Sequence, residues 1–219
     1  MRIPLYIDFN GRNVLVIGGG SVGTRRAKKF LNAGAKVKIL SLDFSEELVK
    51  MSKVKPVELV RIDVAKADIE QYIRWADLVV IATDDMWLNE KITVQARKLN
   101  KLVNNATNAA TSDVIVPFEV EVDGIRVAVT TEGKAGMIAR IASEKIKKLL
   151  EADNELRCLM RVLSKVKTYM KSHIKDPKVR LPLYFEIIDN LKFRDLIRKG
   201  DIVGAYKVAL EIIGLNSRF

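Results

Sequence analysis

The sequence predicts an α/β fold: a parallel sheet with crossover helices, then a small β-hairpin-plus-helix unit, then an α-helical C-terminal region. Three observations lead there. Strand-like and helix-like patterns alternate through the first hundred residues, the order that builds a parallel sheet with right-handed crossovers. Two β-rich runs then flank Asp123-Gly124, a strong hairpin signal. From Glu151 onward the pattern is helical, with a break at Lys175-Asp176-Pro177. The boundaries expected from these shifts are residues 1–112, 113–150 and 151–219.

Taken in order, Asn13-Val14-Leu15-Val16-Ile17 is a short apolar run, as expected of a strand buried on both faces. A glycine loop follows. Thr24 to Leu31 then reads as a helix, stopped by Gly34. Lys36 to Leu40 alternates polar and apolar residues and predicts a second strand. Ser45 is placed to cap a short helix running to Met51. Val57 to Ile62 is a third strand, and Leu78 to Ala82 a fourth and fully apolar one. Asn89 to Leu99 is helical in pattern, and Leu102 to Asn105 is a fifth strand. The hairpin strands are read as Val114 to Val122 and Ile125 to Thr131. A helix is expected from Gly136 to Leu150.

Composition narrows the function classes. The chain has 219 residues, 48% hydrophobic and 30% charged, enough for a sizeable core. No apolar run reaches the roughly 18 residues a membrane span needs. Asp8 falls where a signal peptide would be apolar, so a cytoplasmic protein is expected. Cys158 and His173 are the only residues of their types, which rules out an intrachain disulfide and a Cys/His metal site built by one chain. A metal held by carboxylates alone stays open, and His173 reads as a surface residue beside the Pro177 break. The net charge of +11 fits a polyanionic ligand, or simply a lysine-rich proteome. Neither a basic tail nor interleaved aromatic and basic residues are present, so neither a nucleic-acid nor a membrane partner is expected.

The chemistry-bearing motif is Gly18-x-Gly20-x-x-Gly23, which follows a strand and opens a helix. Its first glycine permits the tight turn, the second lets a pyrophosphate approach the backbone, and the third lets helix and strand pack closely. With Ser21 and Val22 at the helix N-terminus, this predicts a Rossmann-type dinucleotide-binding domain. The alternative is a tight turn that has lost its ligand. At the end of the second strand, where an acid usually reads the adenosine ribose, stand Ser41, Leu42 and Asp43. Ser41 could bond a ribose hydroxyl. Asp43 would discourage a 2′-phosphate, or is a solvated loop acid. No arginine is seen at this turn, so NAD is expected rather than NADP. Thr83 and Asp84 lie at the carboxyl end of the fourth strand, where ligands of open α/β sheets bind. Either they meet the cofactor, or Asp84 or Asp85 merely caps the next helix.

The motifs together resemble a known family. Pro4-Leu5-Tyr6-Ile7-Asp8, Gly11-Arg12-Asn13 through Ser21-Val22, Ala33-Gly34-Ala35, and Ala82-Thr83-Asp84-Asp85 with Asn89 are similar to the siroheme synthase family. So are Val103-Asn104, Pro117, Val127 to Gly133, Ala139-Arg140, Ile174-Lys175-Asp176, Arg180 and Phe185-Glu186. Its members are precorrin-2 dehydrogenases, some of them also sirohydrochlorin ferrochelatases; a stand-alone form, without the methyltransferase domain fused to some members, is expected. The resemblance implies oxidation of precorrin-2 to sirohydrochlorin by NAD. It implies a homodimer formed largely by the middle domain, and a substrate cleft beside the nucleotide domain. Precorrin-2 carries eight carboxylates, which a basic cleft would hold. Arg140 is then a candidate carboxylate clamp, with Lys134, Thr131 and Asn105 as further substrate contacts. Arg140 and Lys134 read equally as surface charges.

One departure bears on mechanism. Where the family has the aspartate proposed as its general acid/base, this chain has Thr107, followed by Asn108. Neither titrates near neutral pH, but both can hydrogen-bond substrate. Asp113 is the nearest replacement acid, or else has a strand-end role. Hydride transfer depends mainly on positioning, because the cofactor carries the chemistry. Metal insertion needs pyrrole deprotonation. The expectation is a dehydrogenase with weak or absent ferrochelatase activity. A non-catalytic tetrapyrrole- or nucleotide-binding relative is the alternative, and another NAD(P) oxidoreductase on this scaffold is a third reading.

Overall fold

Asn13–Ile17 forms β1, and Val14 to Ile17 are fully buried, because neighbours cover both faces of the strand. Each such side chain contributes roughly 1.5–3 kcal/mol when removed from water. Around it, β2 (Lys36–Ser41), β3 (Val57–Arg61), β4 (Leu78–Ile81) and β5 (Leu102–Asn105) complete a parallel sheet of order β3-β2-β1-β4-β5. The order reverses between β1 and β4, and an α/β sheet opens its ligand crevice at such a switch point. Helices α1 (Ser21–Asn32), α2 (Glu46–Ser52), α3 (Glu70–Trp75) and α4 (Met86–Lys98) make the crossovers. One core layer packs Phe30, Leu31 and Leu48 against Val16 and Ile39; the other packs Ile73 and Ile92 against Leu15, Ile17 and Val79.

The computed structural model describes residues 2–216 and divides the chain into two units. The first runs to Val116 and includes Glu132–Lys134. The second holds Pro117–Thr131 and the described chain from Ala135 on.

Several element ends differ from the sequence expectation, each for a local reason. Helix α1 starts at Ser21 rather than Thr24 because Gly20 takes the N-cap position. Helix α4 starts at Met86 rather than Asn89 because the Asp85 carboxylate accepts from Leu88 N at 3.0 Å and caps it. Helix α3 was not expected; six residues are too few for a periodic signal. Val114 and Val116 belong to the first unit, packed on its core, so the first hairpin strand begins only at Phe118. The second ends at Val129, short of Thr131. As expected, Ser45 caps α2, accepting from Leu48 N at 3.2 Å.

In the second unit β6 (Phe118–Val122) and β7 (Ile125–Val129) pair antiparallel, with Val122 opposite Ile125. Asp123 and Gly124 sit at φ 49° and 85°, the two positive values a type I′ turn demands. Helices α5 (Gly136–Ala152), α6 (Asn154–His173), α7 (Pro177–Asp189), α8 (Leu191–Arg198) and α9 (Ile202–Asn216) follow. Asp176 caps α7 and Pro177 opens it, which is why the chain breaks there. Val162, Val166, Met170, Ile187, Phe193 and Ala209 form the core of the bundle.

The hairpin turn is tied to the bundle by charge. Arg157 donates to one oxygen of Asp123, and Arg161 to the other at 2.6 Å. Those hydrogen bonds hold the Asp123 carboxyl below its ordinary range. A depressed folded value means the pair stabilises above the unfolded carboxylate value of about 4 and is lost as pH falls through the folded value. Asp123→Asn is therefore expected to lower the thermal midpoint at neutral pH and to flatten its acid dependence. Thermal melts of both proteins between pH 2 and 7 would check this; parallel curves would count against it.

Candidate active site

The glycine loop lies where β1 gives way to α1. Gly18 has φ +110°, and a Cβ there would stand 2.3 Å from Ala82 O on the neighbouring strand connection. A Cβ at Gly23 would stand 1.9 Å from Gly18 O, so the helix can approach the loop only without one. Gly20 is different. Its φ of −74° suits any residue, and a Cβ there meets nothing within 4 Å. Protein packing gives no reason for glycine at position 20; a pyrophosphate lying on that backbone does. No side chain among the described residues caps α1, and its first turn carries no acid, so its N–H groups and positive dipole end remain for an anion. The residues present therefore fit a dinucleotide.

The loop is braced from β2. Gly19 N donates to Ser41 Oγ at 3.0 Å, and Ser45 N to Gly19 O at 3.2 Å. The Thr24 hydroxyl reaches Gly20 O at 2.8 Å and shares a hydrogen bond of the same length with Ser45 Oγ. Ser41 thus holds the loop, and its hydroxyl proton can still be donated outward.

A cleft of about 350 Å³ opens along the carboxyl ends of the strands. Gly18, Gly20, Ser21, Val22, Ser41, Leu42, Thr83 and Asp84 all line it. Gly23 and Asp43 do not; Gly23 lies under the loop, and Asp43 pairs with Arg61 at 3.1 Å. That pair corrects the view that no arginine reaches this turn. Arg61 comes from β3, opposite Ser41 in register, and is distant in sequence. The cleft is also walled by Ile62, Asp63, Val64 and Ala65 after β3, residues that no motif flags. Of the two acids after β4, Asp85 is the helix cap and Asp84 faces the cleft.

From Thr83 a hydrogen-bonded chain runs to the end of β5. Asn89, fully buried on α4, accepts from Thr83 Oγ1 at 2.5 Å and donates to Thr83 O at 2.9 Å and to Thr107 Oγ1 at 3.1 Å. Thr107 donates to Asn105 Oδ1 at 2.8 Å. Asn105 Nδ2 donates to Thr111 Oγ1 at 3.1 Å. Thr83, Thr107 and Asn105 are thereby brought together, with Asn89 as the link. Asn89 carried a sequence signal only as a family-motif residue.

The remaining candidates are placed otherwise. Asn108 accepts from Ala110 N at 3.1 Å and caps a short 3₁₀ turn over Ala109–Thr111. Asp113 binds Arg97 at 2.8 Å and accepts from Val103 N at 3.1 Å, a strand-end arrangement. Lys134 lies in Glu132–Lys134, which belongs to the first unit: Arg2 reaches Glu132 at 3.3 Å as well as Ala109 O at 2.6 Å and Ser112 O at 2.8 Å. Thr131 and Arg140 belong to the second unit. Thr131 Oγ1 accepts from Ala135 N at 3.0 Å, and Arg140 pairs with Glu144 one helical turn on at the same distance. Burial of Cys158 pushes its thiol up, which leaves it unreactive. His173 is exposed and stacks on Tyr169 at 4.0 Å. Among the described residues no cluster of His, Cys, Asp or Glu could hold a metal ion, and no helix is long and apolar enough to cross a membrane.

Comparison with known proteins agrees with this geometry. Residues 5–118 match the family described as "Putative NAD(P)-binding". A "Putative precorrin-2 dehydrogenase" of Methanocaldococcus jannaschii is 31% identical over 201 residues, 90% of this chain and 95% of that one. The chain belongs to the precorrin-2 dehydrogenase family. The "Siroheme synthase" of Mannheimia succiniciproducens is 33% identical over 204 residues, which are 93% of this precorrin-2 dehydrogenase homologue but only 41% of the synthase. The solved structure of "SirC, precorrin-2 dehydrogenase" superposes with a TM-score of 0.74 over 97% of this chain and 99% of that one, at 22% identity, and so shares the fold. NAD is the cofactor of this family member, and the matched NAD(P)-binding residues 5–118 include the glycine loop.

Proposed function

We propose that this chain oxidises precorrin-2 to sirohydrochlorin with NAD, the dehydrogenation step of siroheme biosynthesis. The observation that carries the reading is the open space at Gly20, which belongs to a cleft that Thr83 and Asp84 also line. NAD supplies the hydride acceptor. The protein's own residues position it. The α1 N-terminus takes the pyrophosphate, Ser41 and Leu42 the adenosine side, and Thr83 the end nearest the chemistry. Thr107, held by Asn89 and Asn105, presents its hydroxyl to the macrocycle; Asn105 itself is buried, its amide spent on Thr107, Asn108 and Thr111, and braces that loop rather than touching substrate. Orientation of this kind is where most of the rate comes from when the cofactor carries the electrons. Mixing the protein with NAD and precorrin-2 made in situ should give NADH; binding of both without turnover would support a non-catalytic relative instead.

Removing two electrons as hydride also releases a proton, and Thr107 and Asn108 cannot take it. Asp84 is the acid favoured for that role, because it lines the cleft and is exposed. Asp113 is committed to Arg97 and Val103, and the role favoured for it is structural. Asp84→Asn is expected to lower kcat by ~100-fold, within the range typical of general base loss. Asp113→Asn should lower thermal stability and leave kcat within about threefold, since a partly exposed ion pair has no part in proton transfer. Equal kcat losses in the two variants would count against this assignment.

Metal insertion into sirohydrochlorin needs a base for the pyrrole protons, and no titrating residue stands at position 107. We propose that ferrochelatase activity is weak or absent. Iron insertion well above the uncatalysed rate, followed by absorbance, would refute it. We also propose a homodimer built on the hairpin and α5, and a cytoplasmic location. Met137, Ile138, Ile141 and Leu149 are exposed on α5, where a second copy would cover them. Ile138→Glu should then convert dimer to monomer in a light-scattering measurement.

A further inference from the structure

We propose that Arg2 is a positioning residue for the substrate: it clamps the Glu132–Lys134 loop onto the turn that follows Thr107, and so delivers the Lys134 ammonium to a carboxylate of the macrocycle. This rests on the reading of the chain as one that oxidises precorrin-2. One terminal nitrogen of the Arg2 guanidinium donates to Ala109 O at 2.6 Å and to Ser112 O at 2.8 Å, and the other to Glu132 at 3.3 Å. Arg97 takes the Thr111 carbonyl between them at 2.8 Å. Two arginines thus hold the carbonyl end of the 3₁₀ turn. The turn runs back into the site, because Ser112 Oγ accepts from Asn105 N at 2.9 Å and Asn105 accepts from the Thr107 hydroxyl at 2.8 Å. The Glu132–Lys134 loop lies directly against this turn: a Cβ at Gly133 would stand 2.4 Å from Ala109 Cβ. Glu132 and Gly133 take φ of 53° and 88°. A glutamate keeps such a left-handed backbone only where its contacts offset the strain, and Arg2 is one of those contacts.

The chemistry explains why the clamp is an arginine. Its planar fork joins two carbonyls and a carboxylate from one rigid group, whereas a lysine ammonium is a single point charge. Residues near a chain end are usually mobile unless tied down, and these three bonds tie Arg2. Lys134 follows Gly133 directly and is exposed, as is Thr107, two residues before Ala109. An ammonium fixed there pairs with a peripheral carboxylate of the substrate while Thr107 hydrogen-bonds beside it. Fixing the loop before the substrate arrives avoids the entropy cost of ordering it on binding. Glu132 by itself would repel a polycarboxylate; paired with Arg2 it anchors the loop instead. The turn keeps Arg97 and Asn105 when Arg2 is removed, so the effect of removal falls on the loop and on Lys134.

The test is calorimetric affinity for sirohydrochlorin, the product that carries the same carboxylates, with the KM for precorrin-2 and melting curves measured alongside. Arg2→Ala and Lys134→Ala should each weaken binding and raise KM by about tenfold, the scale of one charge-assisted contact, with kcat and NAD affinity nearly unchanged. The double variant should bind no more weakly than either single variant, because Arg2 acts through Lys134. Glu132→Ala keeps the Cβ and the Arg2 bonds to the turn, and so tests the clamp even if Arg2→Ala does not fold. It should weaken binding severalfold although it removes a negative charge. Losses that multiply in the double variant would overturn the proposal, as would tighter binding by Glu132→Ala. So would an Arg2→Ala variant that melts earlier and binds normally, the mark of a purely structural contact. Wild type that bound no sirohydrochlorin would overturn the substrate reading itself, a result distinct from normal wild-type binding with multiplying losses.

Discussion

Gly20→Val is expected to abolish NAD binding and leave the fold intact. The Cβ built at Gly20 meets no protein atom within 4 Å, and φ of −74° is acceptable to valine. Glycine is a better N-cap than valine, so a stability cost of about 1 kcal/mol is expected, too little to unfold the domain. The added methyls would occupy the space a pyrophosphate needs, and the affinity loss should be ~100-fold or greater, comparable to losing a helix-terminus anion site with its several N–H bonds. Gly18→Ala and Gly23→Ala should behave differently. Their Cβ atoms would stand 2.3 Å from Ala82 O and 1.9 Å from Gly18 O, and neither backbone oxygen can move without displacing a strand or the loop. Both should lower the thermal midpoint as well as binding. Melting curves with and without NAD separate the cases: wild type gains stability from the ligand by linkage, while Gly20→Val keeps its apo midpoint and gains nothing. A normal NAD-induced shift in Gly20→Val would show that the pyrophosphate does not lie on this loop.

Asn89→Ala is expected to have the next largest effect, on turnover rather than on cofactor affinity. Asn89 is fully buried and accepts from or donates to Thr83 Oγ1, Thr83 O and Thr107 Oγ1. Truncation leaves those groups without their partner, at a cost of roughly 1–3 kcal/mol for each one that stays buried and unsatisfied. Thr107 is exposed and can turn to water, so the stability loss should fall near the lower end of that range. The functional loss is greater. Thr83 and Thr107 would no longer be held in one geometry across the ends of β4 and β5. A misplacement of about 1 Å at a positioning group can cost ~100-fold in rate. Kcat should fall by about that factor while the NAD affinity set by the glycine loop changes little. Steady-state kinetics with varied NAD and varied precorrin-2 would show the split. A rise in the KM for NAD alone, with kcat preserved, would make Asn89 a cofactor-loop support instead.

Much of this was legible in the sequence because the signals were local. The apolar runs of β1 and β4 had to be buried strands, since only burial on both faces tolerates such composition. Asp123-Gly124 had to be a tight turn because few dipeptides accept two positive φ values. Ser45 could be read as a helix cap, and one of Asp84 and Asp85 as another, since a cap bonds to its own first turn; only the structure singled out Asp85. The glycine spacing announced the phosphate cradle and a separate role for each of Gly18, Gly20 and Gly23; the close approaches to Ala82 O and Gly18 O came only with the fold.

The α/β sheet, the glycine loop, the hairpin and the helical tail are thus written in local patterns, as is the threonine at position 107 in place of the family's aspartate. Tertiary structure alone decided which distant residues meet. Parallel register brought Arg61 to Asp43, although the turn itself contains no arginine. The packing of α4 turned Asn89 into the link between Thr83 and Thr107. Arg97 captured Asp113 from another element, and the chain after β3 supplied a wall of the cleft. The physical reason is common to all four. Local preferences act through neighbours in the chain, whereas hydrogen bonds and ion pairs between strands and helices depend on register and packing, which no short stretch of sequence encodes.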